Sequence, residues 1–276
     1  MKSLVLVLFF FLSAVSQADV VCENIGDCPP WVAQVRSPQG NGAIVCTGFL
    51  VQSDLMATNL HCIPHELQKK GASCTGRLRS VFPETSGHKS ESIECESIQF
   101  VSEPLIKGSF NVDLAVFKLA RPTRRSFLRF SQDGFRADEK ITIYKVNPTK
   151  SGGGLVKKDI CQAKPNSIYN PYFTSESSPI INLAPCEAMG GNSGSALVSA
   201  DGYARGVLSS VGDVPYLQTL YSGVKKEMKV AFGSNLSCVH LDLFSYPRKN
   251  YSACDVVVNP ENQKKLELQM KQKAFD

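Results

Sequence analysis

Three patterns are missing from this chain of 276 residues, and each absence excludes a class of protein. No two cysteines have the C-x-x-C spacing, so the sequence does not predict a structural zinc site. The formal net charge is only +5 and is spread along the chain, so we expect no nucleic-acid binding. Helical periodicity is absent until the C-terminal end, which favours a β fold.

The N-terminal residues 1–18 carry the pattern of a secretory signal peptide. Lys2 precedes the unbroken apolar run Leu4–Leu12, and the run is followed by small residues at the spacing of a cleavage site. We therefore expect a secreted protein, extracellular or periplasmic. The apolar run is too short for a membrane span and no later run is long enough, so no span is expected. An uncleaved anchor is the alternative.

All ten cysteines follow this leader. An even number in an exported chain indicates disulfides, although the sequence alone does not fix their connectivity. A bridge between Cys46 and Cys62 would add about 3 kcal/mol of stability in the chain-entropy model. The spacing favours sequential pairs: Cys22–Cys28, Cys46–Cys62, Cys74–Cys95, Cys161–Cys186 and Cys238–Cys254.

Short apolar and β-branched runs recur along the chain, separated by Gly, Pro, Ser and Asn, which is typical of an antiparallel sandwich or a pair of barrels. The basic, proline-containing segment Arg121–Arg125 separates two groups of runs and is the linker candidate, while Ser151–Gly154 is predicted as a loop. The predicted strands are Trp31–Arg36, Ala43–Val51, Leu55–Asn59, Leu78–Phe82, Ile93–Val101, Leu114–Leu119, Ile141–Val146, Ile180–Leu183, Ala196–Ser199, Tyr203–Val211 and Tyr216–Tyr221.

The stretch Gly190–Ser195 places the Ser193 hydroxyl on a glycine-rich turn. Small neighbours let a substrate carbonyl approach the hydroxyl, and they leave backbone N–H groups that can bind an oxyanion. Ordinary turns use the same residue types. The turn therefore indicates a nucleophile only if a base and a carboxylate lie elsewhere in suitable settings.

His61 and Asp113, which both precede Ser193 in the chain, have such settings. His61 directly follows an apolar strand, and a Cys46–Cys62 bridge would fasten its turn to the neighbouring strand. Asp113 directly precedes an apolar strand, and a carboxylate beside a buried strand needs a strong hydrogen-bond donor such as an imidazole N–H. Each signal is weak alone, and the two together with Ser193 predict a catalytic set.

His61, Asp113 and Ser193 follow one another in this order along the chain, and in this order the chain resembles the chymotrypsin/trypsin-like serine protease family. The resemblance extends from Pro30 to Tyr221 and implies an all-β fold of two antiparallel six-stranded β-barrels, with the site in the cleft between them. An α/β-hydrolase is disfavoured, since its nucleophile lies in G-x-S-x-G and its histidine follows the serine. The segments that carry the resemblance are Cys46–Val51, Ala57–Cys62, Asp113–Val116 and Gly191–Gly194.

The resemblance implies a serine endopeptidase that works through an acyl-enzyme, with protein or peptide substrates. Ser193 would attack the scissile carbonyl, His61 would transfer the proton, and Asp113 would orient His61. The N–H groups of Gly191 and Ser193 would form the oxyanion hole. No cofactor or metal is implied, and we expect a monomer.

The resemblance also implies substrate contacts. Ser210, Val211 and Gly212 would pair with the extended substrate backbone, and Ser210 would hydrogen-bond Asp113. Glu187 falls where an acidic side chain would select Lys or Arg before the cleaved bond. The alternative is that Glu187 points outward or pairs with a local lysine.

The turn departs from the family pattern at several positions. Asn192 replaces the aspartate that pairs with a newly cut N-terminus in animal members, so we expect that latch to be absent, as in many bacterial relatives. Met189 stands where a cysteine is usual, with Cys186 three residues earlier. Ser195 and Ala196 replace the usual glycine and proline.

The expected organisation follows from the resemblance. An N-terminal segment covers 19–29, the first barrel 30–120, the second barrel 126–222, and a C-terminal extension 223–276. The extension contains a predicted helix from Gln263 to Lys273. Two alternatives to a general protease stay open: a non-catalytic binding or regulatory protein on the same fold, and a processing enzyme with one partner protein.

Overall fold

A computed structural model describes most of the chain between residues 20 and 236. The described ranges are 20–39, 42–102, 104–106, 110–131, 133–136, 138–150, 152–164, 180–211 and 231–236. Several predictions therefore lie outside the described residues and stay predictions: the signal peptide, the strand Tyr216–Tyr221, the bridge Cys238–Cys254 and the helix Gln263–Lys273.

Strands form nearly all the regular structure of the described residues. The helices found there are single 3₁₀ turns at Ile25–Asp27, Leu60–Cys62 and His65–Leu67, and none is long and apolar enough to cross a membrane. The strands are β1 (Val20–Cys22), β2 (Val32–Gln39), β3 (Gly42–Gln52), β4 (Leu55–Thr58), β5 (Arg79–Phe82), β6 (Glu91–Val101), β7 (Pro104–Ile106), β8 (Phe110–Asn111), β9 (Ala115–Leu119), β10 (Lys140–Pro148), β11 (Gly154–Lys164), β12 (Ile180–Leu183), β13 (Ala196–Val198), β14 (Ala204–Val211) and β15 (Ala231–Asn235).

These strands close into two antiparallel six-stranded barrels. The first has the order β2-β3-β4-β9-β6-β5. The second has the order β11-β10-β13-β14-β15-β12 and closes through the pairing of β12 with β11. β1 pairs in parallel with the start of β11, with Val20 opposite Gly154. The all-β fold of two barrels is thus confirmed.

The barrels pack against each other through a shared apolar cluster. Phe49 of β3 lies edge-on to Phe130, with ring centroids 5.8 Å apart. Trp31, the single tryptophan of the chain, contacts the rings of Phe49 at 6.5 Å and of Tyr144 at 5.3 Å. Edge-to-face pairs of this kind add about 0.5–1.5 kcal/mol each beyond the burial of their area. Because Phe49 and Tyr144 belong to different barrels, the tryptophan packs against both of them.

Strand β11 was not predicted from the sequence. Val156, Cys161 and Ala163 are buried, while the central residues between them are charged or exposed, so the run lacks continuous alternation. The predicted loop Ser151–Gly154 ends where this strand begins. The second barrel also takes β15 from residues 231–235, inside the segment 223–276 that the sequence predicts as an extension.

The linker candidate Arg121–Arg125 contains no strand but is bound tightly to the first barrel. The Arg125 side chain is fully buried, donates from Nε to Glu91 Oε1 at 2.9 Å, and lies 5.0 Å from the Phe82 ring centroid. The Thr123 hydroxyl donates to the same carboxylate at 2.8 Å. Burial alone would raise the pKa of Glu91, but the hydrogen bonds from Arg125 and Thr123 outweigh it and hold that pKa below its usual value.

Disulfides fasten both barrels, and every cysteine among the described residues is paired. The pairs are the sequential ones that the spacing favours. They are Cys22–Cys28, Cys46–Cys62, Cys74–Cys95 and Cys161–Cys186.

Candidate active site

His61 sits on the single 3₁₀ turn Leu60–Cys62, just beyond the end of β4. The Cys46–Cys62 disulfide ties this turn to β3. The imidazole Nδ1 lies 2.6 Å from Asp113 Oδ2, and the His61 backbone N–H donates to Asp113 Oδ1 at 3.1 Å. A carboxylate only accepts hydrogen bonds, so Nδ1 carries the proton and Nε2 of the neutral ring keeps its lone pair. Nε2 has no hydrogen-bond partner among the described residues, and the His61 side chain is 48% exposed.

Polar side chains from both barrels hold the backbone of Asp113. The buried Asn59 donates from Nδ2 to the Asp113 carbonyl at 2.6 Å. The Asp113 N–H donates to the Ser234 hydroxyl on β15 at 2.8 Å. The Ser209 hydroxyl lies 3.0 Å from that of Ser234 and 3.4 Å from Asn59 Nδ2. The residue whose carboxylate contacts His61 is therefore held by a polar network that joins the two barrels.

Sequence reasoning missed Asn59, Ser209 and Ser234. A usable signal existed only for Asn59, a polar residue that follows an otherwise apolar strand and lies two positions before His61. The expected bond from Ser210 to Asp113 stays a prediction, because the Ser210 side chain lies outside the described part of the structure.

Ser193 lies on the turn that leads into β13, at the edge of the second barrel. Its main-chain carbonyl accepts the Thr47 N–H of the first barrel at 2.8 Å. Gly194 has a φ of +89°, and a Cβ there would lie 2.0 Å from the Thr47 carbonyl oxygen, so only glycine fits. The Ser193 hydroxyl donates to the carbonyl of Ser209 at 3.2 Å. The structure describes both Ser193 and His61, and no hydrogen bond joins them.

The backbone of the turn presents two free donors. The Gly191 carbonyl accepts from Thr47 Oγ1 at 2.9 Å, and Gly191 has a φ of +94°. Within the described part of the chain, neither the Gly191 N–H nor the Ser193 N–H donates to any atom. Free N–H groups beside a serine hydroxyl are the arrangement that binds the oxygen of a tetrahedral intermediate.

Asn192 is buried beneath this turn and uses both ends of its amide. Nδ2 donates to the Val146 carbonyl at 3.1 Å and to Asn147 Oδ1 at 2.7 Å. Oδ1 accepts the Met189 N–H at 2.9 Å. The amide thus fastens the turn to β10 with donors and an acceptor that an aspartate could not supply together.

The loop before the turn carries Glu187. Its side chain is exposed, and its main-chain carbonyl accepts a hydrogen bond from the ammonium of Lys145, which also lies 2.8 Å from Asp159 Oδ2. The Cys161–Cys186 disulfide holds the start of the same loop. The backbones of Ser210 and Val211 end strand β14, while their side chains and Gly212 lie outside the described part.

The group Cys46, His61 and Cys62 has its potential ligand atoms within 4.8 Å of one another. The two sulfurs are joined in a disulfide, so they offer no thiolate ligands. This group therefore does not fit a metal.

Comparison with known proteins agrees with this geometry. No curated protein sequence matches the chain at a significant level. A sequence model of the trypsin family matches residues 22–226, which include His61, Asp113, Ser193 and most of both barrels. The chain therefore belongs to the trypsin family.

Proposed function

We propose that this protein is a secreted serine endopeptidase with His61, Asp113 and Ser193 as its catalytic triad. The observation that carries the proposal is the two-point contact of His61 with Asp113, which leaves Nε2 of a half-exposed ring without a hydrogen-bond partner among the described residues. A neutral imidazole held in this tautomer can accept the proton of an attacking serine. Membership of the trypsin family supports a protease acting on protein substrates.

The proposed first step needs a rotation of the Ser193 side chain. The hydroxyl is now bonded to the Ser209 carbonyl, and rotation about its Cα–Cβ bond would turn it toward His61. A hydrogen bond between the nucleophile and its base is often long or poorly aligned before substrate binds. As Ser193 Oγ bonds to the substrate carbonyl carbon, its proton passes to His61 Nε2. The substrate oxygen becomes an oxyanion that the Gly191 and Ser193 N–H groups would bind.

The second half of the reaction uses the same residues. His61 gives its proton to the leaving amine as the peptide C–N bond breaks, which leaves an acyl group on Ser193. A water molecule then attacks the acyl carbon, with His61 as its base. His61 returns the proton to Ser193 Oγ as the bond between Oγ and the acyl carbon breaks, and the carboxylic acid product leaves. Asp113 stabilises the imidazolium during both halves and keeps its own charge.

We further propose that Glu187 favours Lys or Arg before the cleaved bond. Glu187 is an exposed residue on the loop that leads to Ser193, and its backbone is held by Lys145 and by the Cys186 disulfide. Ser210, Val211 and Gly212 would pair with the substrate backbone.

The preference for Lys or Arg is tested by measuring kcat/KM for peptides that differ only in the residue before the cleaved bond. Glu187→Gln should reduce the preference for Lys and Arg at least tenfold, whereas Glu84→Gln, an exposed control, should not.

Secretion and the monomeric state complete the proposal. Four disulfides among the described residues suit an oxidising compartment. Secretion is tested by fractionating cells that express the whole chain, and a chain retained inside with residues 1–18 uncleaved would contradict it. The oligomeric state is tested by light scattering.

The hydrogen bond from the Ser193 hydroxyl to the Ser209 carbonyl also fits a non-catalytic binding protein on the same fold. A hydrolysis assay separates this function from that of an endopeptidase. Wild-type protein should cleave casein, and Ser193→Ala should lose activity by several orders of magnitude. Equal rates for the two proteins, or no cleavage of casein and of a peptide library by either, would contradict the endopeptidase.

A further inference from the structure

Ser195 is fully buried two residues after the proposed nucleophile. Its hydroxyl donates to the Asn192 carbonyl at 2.7 Å, and its own N–H donates to the same oxygen at 3.2 Å. One carbonyl therefore receives two donors from one residue. A glycine, which the family usually has at this position, would supply only the backbone donor.

The Asn192 carbonyl and the Ser193 N–H belong to the same peptide unit. The unit is planar and trans, so its C=O and N–H point in opposite directions. Two bonds that hold the carbonyl toward Ser195 therefore hold the Ser193 N–H on the opposite side, where no atom of the described residues accepts it. If this peptide flipped, the oxyanion would meet a carbonyl dipole in place of a donor.

The neighbouring carbonyls of the turn have other anchors. Thr47 binds the Gly191 carbonyl through Oγ1 at 2.9 Å and the Ser193 carbonyl through its N–H at 2.8 Å. The carbonyl of Asn192 lies between them and receives its hydrogen bonds from Ser195 alone among the described residues. Ser195 therefore supplies the hydrogen bonds that hold this carbonyl directly.

We propose that the Ser195 hydroxyl is a positioning group that holds the Asn192–Ser193 peptide so that the Ser193 N–H faces the substrate oxyanion. This inference rests on the proposed protease function. Ser195 does not touch the substrate and acts through the orientation of the peptide.

The test compares wild type with Ser195→Ala, which removes the hydroxyl and keeps the backbone bond. The substrate is the fluorogenic peptide amide that wild type cleaves fastest in a library. Loss of a whole oxyanion-hole donor costs about 10²–10³ in kcat, so loss of its orienting bond should lower kcat about tenfold with KM within twofold. The matched control is Ser199→Ala, which removes another buried serine hydroxyl, one that donates to the Asp201 carboxylate. Its kcat should match that of wild type.

Two inhibitors of the same peptide sequence separate positioning from a general structural effect. A peptide aldehyde adds the Ser193 oxygen to its carbonyl carbon and places the resulting hemiacetal oxygen in the oxyanion hole, while the analogue with a methyl group in place of the aldehyde has no oxygen to place there. Ser195→Ala should weaken the aldehyde about as much as it lowers kcat and should leave binding of the methyl analogue within twofold. An unchanged kcat, a rise in KM alone, or equal weakening of both inhibitors overturns the inference.

The outcome for wild type separates a failure of the proposed protease function from a failure of the proposed Ser195 role. A wild-type protein that cleaves no peptide contradicts the protease function and the role of Ser195 together. A wild-type protein that cleaves its substrate as fast as Ser195→Ala overturns only the role of Ser195.

Discussion

His61 Nδ1 lies 2.6 Å from Asp113 Oδ2, while the His61 backbone N–H donates to the other carboxylate oxygen at 3.1 Å. The two bonds fix both the position of the ring and the nitrogen that carries the proton. Asp113 is held in turn by Asn59 from the first barrel and Ser234 from the second. The state of this one histidine therefore depends on the packing of both barrels.

Asp113→Asn tests the tautomer directly. The amide can donate to Nδ1, which favours the ring with its proton on Nε2 and removes the base. We expect kcat to fall about 10⁴-fold with little change in stability, as measured by peptide-amide hydrolysis and by urea unfolding. The exposed Asp27→Asn is the control and should keep full activity. A fall of less than tenfold would show that Asp113 does not set the tautomer.

Asn59→Ala tests the polar network beneath the pair. The change leaves the Asp113 carbonyl without its donor at 2.6 Å, so the free energy of unfolding should fall by about 1–3 kcal/mol. Because Asp113 would also lose an anchor, we expect kcat to fall at least fivefold under conditions where the variant is fully folded. Urea denaturation and steady-state kinetics check the two effects. Unchanged stability and kcat would mean that the network does not position Asp113.

Asn192→Asp tests how the turn is held. An aspartate would face the Val146 carbonyl and Asn147 Oδ1 without the amide donors, so its folded pKa should lie above the unfolded value of about 3.9. The destabilisation should be small below pH 4 and should grow to about 3 kcal/mol as pH rises through the folded pKa. Urea unfolding at pH 4 and pH 7 measures it.

The side-chain amide of Asn192 has no charge with which an N-terminal ammonium could pair. We therefore expect that no N-terminal ammonium is needed to organise the turn. A few extra residues before Asp19 should leave kcat/KM within twofold of the value for a protein that starts at Asp19. Activity that appears only after the extension is removed would contradict this expectation, as would a more stable Asn192→Asp at pH 7.

Glu91→Gln tests the half-buried carboxylate that anchors the linker through Arg125. Burial disfavours the charge of Glu91, but the hydrogen bonds from Arg125 and Thr123 keep its pKa below the usual value. A lowered folded pKa gives stability that is present above the unfolded pKa of about 4.3 and is lost as pH falls through the folded pKa. We expect Glu91→Gln to be about 2 kcal/mol less stable than wild type at pH 7, with a smaller difference at pH 3. Urea unfolding at both values checks this, and Glu84→Gln is the exposed control. A difference that grows on acidification would contradict the assigned role.

Local motifs explain why the centre of the candidate site could be predicted from the sequence. His61, Asp113 and Ser193 each stand beside a strand or turn with a recognisable pattern, and their order along the chain is itself informative. Most barrel strands were predicted for the same reason. Strand β11 was missed because Lys158 and Asp159 interrupt its apolar alternation, and β15 was missed because Gly233, Ser234 and Asn235 give it little β-branched character.

The supporting contacts of the site could not be predicted, because their partners are distant in sequence. Asn59 and Ser209 are separated by 150 residues, and Asp113 and Ser234 by 121. The hydrogen bond from Ser195 to Asn192 is local in sequence, yet its proposed role depends on the direction in which the Asn192–Ser193 peptide points. No pattern of residue types specifies that direction.

Covalent labelling of Ser193 tests the proposed triad most directly. A fluorophosphonate reacts with an activated serine when the serine oxygen bonds to phosphorus and fluoride leaves, and mass spectrometry then locates the modified residue. We expect stoichiometric labelling of the folded wild-type protein at Ser193, none at this turn in Ser193→Ala, and a rate at least a hundredfold lower in His61→Ala. A folded wild-type protein that stays unlabelled, or that is labelled equally fast without His61, would contradict the proposed triad.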